Sequence, residues 1–184
     1  MGVVVVTPPA PTIDLALVKA DRRVDHDDDD ALIQAYIDAA VSAIDGPKGW
    51  LERAIWTQTL EIRQDRFCDS IKLPYGPVQS VTSIIYVDDD GAEQTLATSV
   101  YQVSGDEVVL AHDQSWPSLR GDKDGVRVRY VAGADEAPAA IMQALRLLVG
   151  QWYESREAVN VGNIVNAMPF AVDALLAPYR RWAI

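Results

Sequence analysis

The stretch that decides the fold is residues 126–152, VRVRYVAGADEAPAAIMQALRLLVGQW, because its hydrophobic period changes in the middle. Apolar and basic residues alternate over Val126–Val131, which predicts a strand with one buried face and one wet face. After Pro138, a favoured first-turn residue, apolar residues recur every three or four positions up to Trp152. A strand is therefore followed by the longest helix of the chain, which we expect to end near Ala158.

The sequence before this stretch predicts more strands, because β-branched and aromatic residues occur there in short runs. The run Asp88-Asp89-Asp90-Gly91 ends in the Asp-Gly dipeptide that is favoured in tight hairpins. Residues 54–133 are thus expected to form an antiparallel β-rich insertion. The predicted strands are Trp56–Ile62, Ser70–Leu73, Val81–Val87, Ala92–Leu96, Val100–Val103, Val108–Leu110 and Val126–Val131.

Helices are predicted on both sides of the insertion from apolar spacing, capping residues and prolines. Their predicted limits are Thr12–Arg23, Asp27–Ile44, Pro138–Ala158 and a last helix that Pro169 opens and Pro178 stops. The fold class is therefore α+β: two N-terminal and two C-terminal helices form a bundle with an inserted antiparallel β-rich subdomain. The whole chain, 1–184, is expected to be a single domain.

Two segments lack a clear period. Residues 1–11 contain Val3–Val6 followed by prolines, and this run is too short and lacks the basic leader of a signal peptide. We expect residues 1–11 to be a flexible N-terminal arm, or an arm that pairs with the edge of a sheet. The segment Val159–Ala167 is expected to be a mobile loop.

Composition excludes several classes of function. The net charge is −11, which disfavours general affinity for DNA or for anionic membrane surfaces. No apolar stretch is long enough to span a membrane. The single cysteine, Cys68, excludes an internal disulfide, and it has no basic neighbour in sequence that would lower its pKa.

Residues with catalytic potential are scattered. His26 and His112 each lack a second histidine or a cysteine nearby, and no Gly-rich phosphate loop is present. The acidic run Asp25–Asp30 lacks the terminal glutamate of a calcium loop, so we expect one aspartate to cap the second helix and the others to stabilise its positive end. Asp88–Asp90 are expected to form a hairpin turn and not a metal site. We predict no catalytic, cofactor-binding or metal-binding residues, and no cofactor.

The candidate binding residues lie at the C-terminus, in Tyr179-Arg180-Arg181-Trp182. Tyrosine, arginine and tryptophan are enriched at interface hot spots. Two possibilities stay open: the tail contacts a partner, or Trp182 folds back onto the helices. A competing hypothesis is a small enzyme or ligand-binding domain built from Asp113, Arg127 and Glu154, which would need a deep pocket with converging polar groups.

Four segments carry a resemblance to a known family, and they occur in that family's order over Thr12 to Trp182. The chain resembles the head-tail connector (adaptor, or head-completion) proteins of tailed phages and gene transfer agents. The segments are Arg23–Ile33 (RVDHDDDDALI), Leu73–Val81 (LPYGPVQSV), Leu147–Val159 (LLVGQWYESREAV) and Pro169–Arg180 (PFAVDALLAPYR).

This resemblance implies a structural virion protein and not an enzyme. Such a connector would be made in the bacterial host cytoplasm and located at the head-tail junction, as a ring, typically dodecameric, beneath the portal. It would extend the DNA channel toward the tail, and DNA would pass without sequence-specific binding.

The implied partners are the portal protein, other copies of the chain and the next tail-side connector or stopper protein, with no membrane. Tyr179, Arg180 and Trp182 would engage the portal or a neighbouring subunit. Two alternatives stay open: the acidic surface could serve solubility alone instead of keeping DNA from sticking, and the chain could be another virion part such as a tail-completion protein.

Overall fold

The computed structural model describes residues 2–10, 13–155 and 170–181. The chain divides into two compact units: a β unit, Met1–Ala10 with Arg53–Asp135, and a helical unit, Pro11–Glu52 with Glu136–Ile184. The strands belong to the first unit and the α-helices to the second. The predicted α+β class, with four helices and antiparallel sheets, is confirmed.

The β unit contains two antiparallel sheets. One has the strand order β1-β2-β8-β4-β5 and the other the order β3-β7-β6. The strands are β1 (Gly2–Thr7), β2 (Gln58–Gln64), β3 (Ser70–Lys72), β4 (Val78–Val87), β5 (Glu93–Thr95), β6 (Tyr101–Ser104), β7 (Glu107–Leu110) and β8 (Val126–Ala132).

The predicted alternation of β8 is confirmed. Val126, Val128 and Tyr130 are fully buried, whereas Arg127 and Arg129 between them are only partly buried on the opposite face of the sheet. The hydroxyl of Tyr130 donates a hydrogen bond to the backbone oxygen of Pro74 at 2.6 Å. A polar group within the core is therefore satisfied, as burial requires.

Residues Gly2–Thr7 pair with the edge of a sheet, which is one of the two conformations that the sequence allowed for the N-terminal arm. They form β1, which pairs antiparallel with β2 and brings Val4 opposite Glu61. A flexible arm therefore does not describe these six residues, because the backbone groups of a β-branched run are satisfied by pairing with β2. β1 lies at the edge of the sheet, and Val4, Val5 and Val6 remain about two-fifths exposed.

The acidic hairpin turn is also confirmed. The carboxylate of Asp88 accepts hydrogen bonds from the amides of Asp90 and Ala92 and from the side chain of Gln94. Gly91 takes a φ of 86°, which a side chain would disfavour. The hydrogen bond from Gln94, followed by those from the backbone, lowers the pKa of Asp88. This turn joins β4 to β5.

The helical unit is built on α3, whose apolar stripe is buried against α2, α4 and α1. Trp152, on the same stripe, is half-buried and meets Tyr36 of α2 edge to face. α3 ends at Glu154 with Ser155 as its C-cap, earlier than the predicted end near Ala158, and the predicted loop Val159–Ala167 lies outside the described residues. The helices are α1 (Leu15–Arg22), α2 (Asp30–Ile44), α3 (Ala139–Glu154) and α4 (Phe170–Leu176), followed by a 3₁₀ turn, Ala177–Tyr179.

The predicted helix starts need two corrections. The N-cap of α1 is Asp14, whose carboxylate accepts from the amide of Ala16 at 2.8 Å, and not Thr12. Asp29 occupies the N-cap of α2 but makes no capping hydrogen bond with its side chain. Its carboxylate accepts instead from the hydroxyl of Tyr153 in α3 at 2.6 Å, a tertiary contact that replaces the local one.

Candidate functional site

The C-terminal segment follows α4 and folds back onto the chain that leaves α2. That chain is a compact turn, in which the amide of Trp50 donates to the backbone oxygen of Ala43 at 2.9 Å. The guanidinium of Arg180 lies over the Trp50 ring, 4.6 Å from its centroid. The amide of Arg181 donates to the backbone oxygen of Leu51 at 3.0 Å. Arg180 and Arg181 are thus held against residues 50–51.

The structure therefore brings two of the four predicted interface residues, Arg180 and Arg181, to one place. Tyr179 and Arg180 are partly buried, whereas the side chain of Arg181 is exposed. Trp182, the fourth predicted residue, lies outside the described residues. The sequence did not indicate Trp50 as the partner of Arg180. The one available signal for Trp50 was its position directly after the turn-forming residues Gly-Pro-Lys-Gly.

Phe170 is a second candidate contact that the sequence did not single out. The helix α4 buries Val172 and Leu176 but leaves the Phe170 side chain 88% exposed. An aromatic ring in water is costly to the isolated chain and useful to an interface. Because it lies on the helix that leads into the C-terminal segment, it extends the set of candidate contact residues.

The acidic run is used mainly to join helices. The ammonium of Lys19 in α1 contacts Asp27 at 2.7 Å and Asp30 at 2.6 Å, and these two hydrogen bonds raise the pKa of Lys19. With the Asp29–Tyr153 bond, three aspartates of the run contact α1 or α3. The predicted helix-start role holds for Asp30, which lies in the first turn of α2. It does not describe Asp27 and Asp29, whose carboxylates contact α1 and α3.

Two further ion pairs join α1 to α3. Arg146 makes two hydrogen bonds to Asp21, at 2.6 and 2.7 Å, and the pKa of Asp21 is lowered mainly by them. Arg22 contacts Glu154 at 2.7 Å. The guanidinium of Arg22 lies so close to Gly150 that a Cβ there would overlap it. The segment LLVGQWYESREAV thus supplies both a glycine for close approach and partners for α1.

The outer face of the five-stranded sheet carries a second charged cluster. Glu61 of β2 is nearly buried and contacts Arg129 at 2.8 Å and Arg63 at 2.9 Å. Burial alone would raise the pKa of Glu61, but the hydrogen bonds from Arg129 and Arg63 outweigh it and lower that pKa. Arg127 pairs with Glu93 of β5 at 2.5 Å. These arginines are therefore engaged within the sheet.

The residues of the enzyme hypothesis have separate partners. Asp113 is exposed and contacts His112, Arg127 pairs with Glu93, and Glu154 pairs with Arg22. Across the part of the chain that the structure describes, no three histidine, cysteine or acidic residues are arranged to hold a metal ion. Cys68 is exposed. Within the described ranges, no helix is long and apolar enough to cross a membrane.

The chain is similar to chains of gene transfer agent particles and matches one family model. No curated protein sequence matches the chain. A chain in the neck of an empty gene transfer agent particle, computed with C6 symmetry, is 26% identical with a TM-score of 0.76, and the match covers 100% of this chain and 97% of that one. A chain in the virion of a native gene transfer agent particle gives the same values.

A chain in the neck of a native gene transfer agent particle, computed with C12 symmetry, shares the fold at a TM-score of 0.65. It is 24% identical, and the match covers 97% of this chain and 96% of that one. The family model of phage gp6-like head-tail connector proteins matches residues 12–180, nearly the whole chain. The chain therefore belongs to the phage gp6-like head-tail connector family.

Proposed function

We propose that this chain is a structural part of the head-tail junction of a tailed phage or gene transfer agent particle. In this role it forms a ring beneath the portal and extends the DNA channel toward the tail. The observation that carries the proposal is the family match over residues 12–180, together with similarity along the full chain to a component of gene transfer agent necks. The function is one of binding and geometry and not of turnover.

The ring is proposed to contain twelve copies. Its support is that the similar chains come from necks computed with C6 and C12 symmetry. Subunits of a closed ring meet head to tail, so each chain needs two different and complementary surfaces. The remaining proposed partners are the portal protein on one side and the next tail-side connector or stopper protein on the other.

The C-terminal segment is the proposed portal or subunit contact, through Tyr179, Arg180, Arg181 and Trp182. Two observations support this assignment. The Trp50–Arg180 contact holds the segment at a defined point, and the side chain of Arg181 beyond it is exposed. The exposed ring of Phe170 adds an apolar group of the kind that anchors interfaces.

The acidic balance of the chain suits a channel for DNA. With a net charge of −11, a ring would repel phosphates and give them no lasting contact. DNA is therefore proposed to pass without sequence-specific binding.

A pull-down against the portal protein of the same particle tests the proposal. The variants are the intact chain, a chain truncated after Ala177, and Phe170→Ala. Leu17→Ala is the matched control, because Leu17 is also apolar and 53% exposed but lies on α1. We expect the intact chain and the control to be retained, and the truncated chain and Phe170→Ala to be retained at least about tenfold less, a loss of about 1.4 kcal/mol.

Failure of the intact, folded chain to bind the portal would contradict the connector function. Binding that survives both the truncation and Phe170→Ala would keep that function but contradict the C-terminal segment as its anchor.

A further inference from the structure

The two sheets of the β unit end in four strand edges. β1 and β5 flank the five-stranded sheet, and β3 and β6 flank the three-stranded one. An edge strand presents unpaired backbone N–H and C=O groups, which can pair with a strand of another chain. Proteins usually guard such edges with charged side chains or by keeping them very short.

Two of the four edges are guarded in this way. β5 has three residues and carries Glu93, and β3 has three residues and carries Lys72. The other two are longer, β1 with six residues and β6 with four. They also lie in uncharged sequence: residues 1–10 and 94–105 contain no charged side chain, although 23% of the chain is charged.

The unguarded edges also expose apolar side chains. Val4, Val5 and Val6 of β1 are 41%, 41% and 40% exposed, and Val103 of β6 is 43% exposed. These four are among the few large hydrophobic residues of the described chain that remain exposed. An uncharged valine run on an open edge is prone to aggregation unless another strand covers it.

The family match does not account for β1. It begins at residue 12, after β1 has ended, so the connector family alone assigns this strand no role. β1 nevertheless has a defined place in the fold, since it pairs along its length with β2. Among the described residues, no strand pairs with its other edge.

We infer that the outer edge of β1 in one copy pairs with the outer edge of β6 in the next copy. The inference rests on the proposed ring, whose head-to-tail contacts need two different surfaces on each chain. Two uncharged edges of one β unit are such a pair. Pairing satisfies the open backbone groups of both strands, and in contacts of this kind main-chain hydrogen bonds supply the affinity. A β1–β1 contact would instead close a two-fold dimer and leave β6 uncovered.

Disulfide trapping tests this contact in the full-length protein. The exposed Cys68 is first replaced by serine. Val4→Cys, Val5→Cys and Val6→Cys are then each combined with Val103→Cys, because the register between copies decides which pair comes within disulfide distance. The matched control combines the same β1 cysteines with Thr95→Cys on the guarded edge β5. Each protein is mixed with the portal protein, oxidised, imaged by electron microscopy and run on a non-reducing gel.

We expect at least one Val103→Cys combination to give a ladder of covalent oligomers longer than a dimer, and the Thr95→Cys controls to give none. Rings on the portal without such a ladder would overturn the β1–β6 contact and leave the connector function intact. A ladder in the absence of portal binding would support the contact and count against the connector function. Proteins that carry a β1 cysteine and no second cysteine are oxidised in parallel; covalent dimers of these proteins would indicate β1–β1 pairing and overturn the inference.

Discussion

Glu61→Gln should destabilise the β unit by about 2 kcal/mol at neutral pH, and this loss should shrink in acid. The Glu61 side chain is only 6% exposed, and its two oxygens contact Arg63 and Arg129 at 2.9 and 2.8 Å. Glutamine keeps the size and one acceptor oxygen but removes the negative charge. The substitution therefore tests the charge and not the packing.

The magnitude follows from the contacts that are lost. Hydrogen bonds to charged groups contribute about 1.5–3 kcal/mol each. The side chains of Arg63 and Arg129 are each 42% exposed, so water replaces part of what they lose. Losing both charged contacts should therefore lower the free energy of unfolding by about 2 kcal/mol, near the value for one such hydrogen bond.

The sign of the pH dependence follows from the lowered pKa of Glu61. Because this pKa is lower in the folded chain than in the unfolded chain, the carboxylate stabilises the fold at pH values above its unfolded pKa. That contribution is lost as the pH falls through the folded pKa. The difference in free energy of unfolding between the native chain and Glu61→Gln should thus decrease below the ordinary glutamate pKa of about 4.3.

Urea unfolding at neutral and acidic pH measures both effects. Glu93→Gln is the control, because Glu93 also pairs with an arginine but its side chain is 63% exposed. An exposed ion pair contributes at most about 1 kcal/mol, so this control should change little at either pH. Equal losses for the two substitutions at neutral pH, or a loss for Glu61→Gln that is unchanged in acid, would refute the reasoning.

Three further substitutions have expected outcomes that urea unfolding can check. Tyr130→Phe removes the hydrogen bond from the buried Tyr130 hydroxyl to the backbone oxygen of Pro74 and should lower the free energy of unfolding by about 1–2 kcal/mol; an unchanged value would show that this oxygen finds another donor. Gly150→Ala places a Cβ where the Arg22 guanidinium lies, so displacement of Arg22 from its pair with Glu154 should offset the gain of about 1 kcal/mol in helix propensity; a full gain of that size would contradict the close approach. Arg180→Ala should cost about 0.5–1 kcal/mol through loss of the contact with Trp50, and no loss would argue against that contact in solution.

The sequence predicted those parts of the fold that depend on local period and turn chemistry. The stripe of α3, the alternation of β8 and the Asp88–Gly91 turn were all confirmed, because each is determined by neighbouring residues. The helix starts were less accurate. Asp29 was expected among the caps of α2, but Tyr153, distant in sequence, takes its carboxylate, and no local pattern reports such a partner.

The sequence indicated which residue types form the candidate site, but it did not predict which residues they contact. The residue types of 179–182 indicated an interface, but the stacking of Arg180 on Trp50 joins segments that are far apart in the chain. The exposure of Phe170 was also unpredictable, because its apolar character fits the helix that buries Val172 and Leu176. For β1, a run of valines is compatible with either an arm or a strand until its neighbour β2 is known.

Electron microscopy of the purified chain mixed with its portal protein tests the connector function most directly. We predict a ring of twelve copies seated coaxially on the portal, with an open channel continuous with that of the portal. A portal that stays bare at saturating concentrations of the folded chain, or a single copy bound off the axis, would contradict the proposed function.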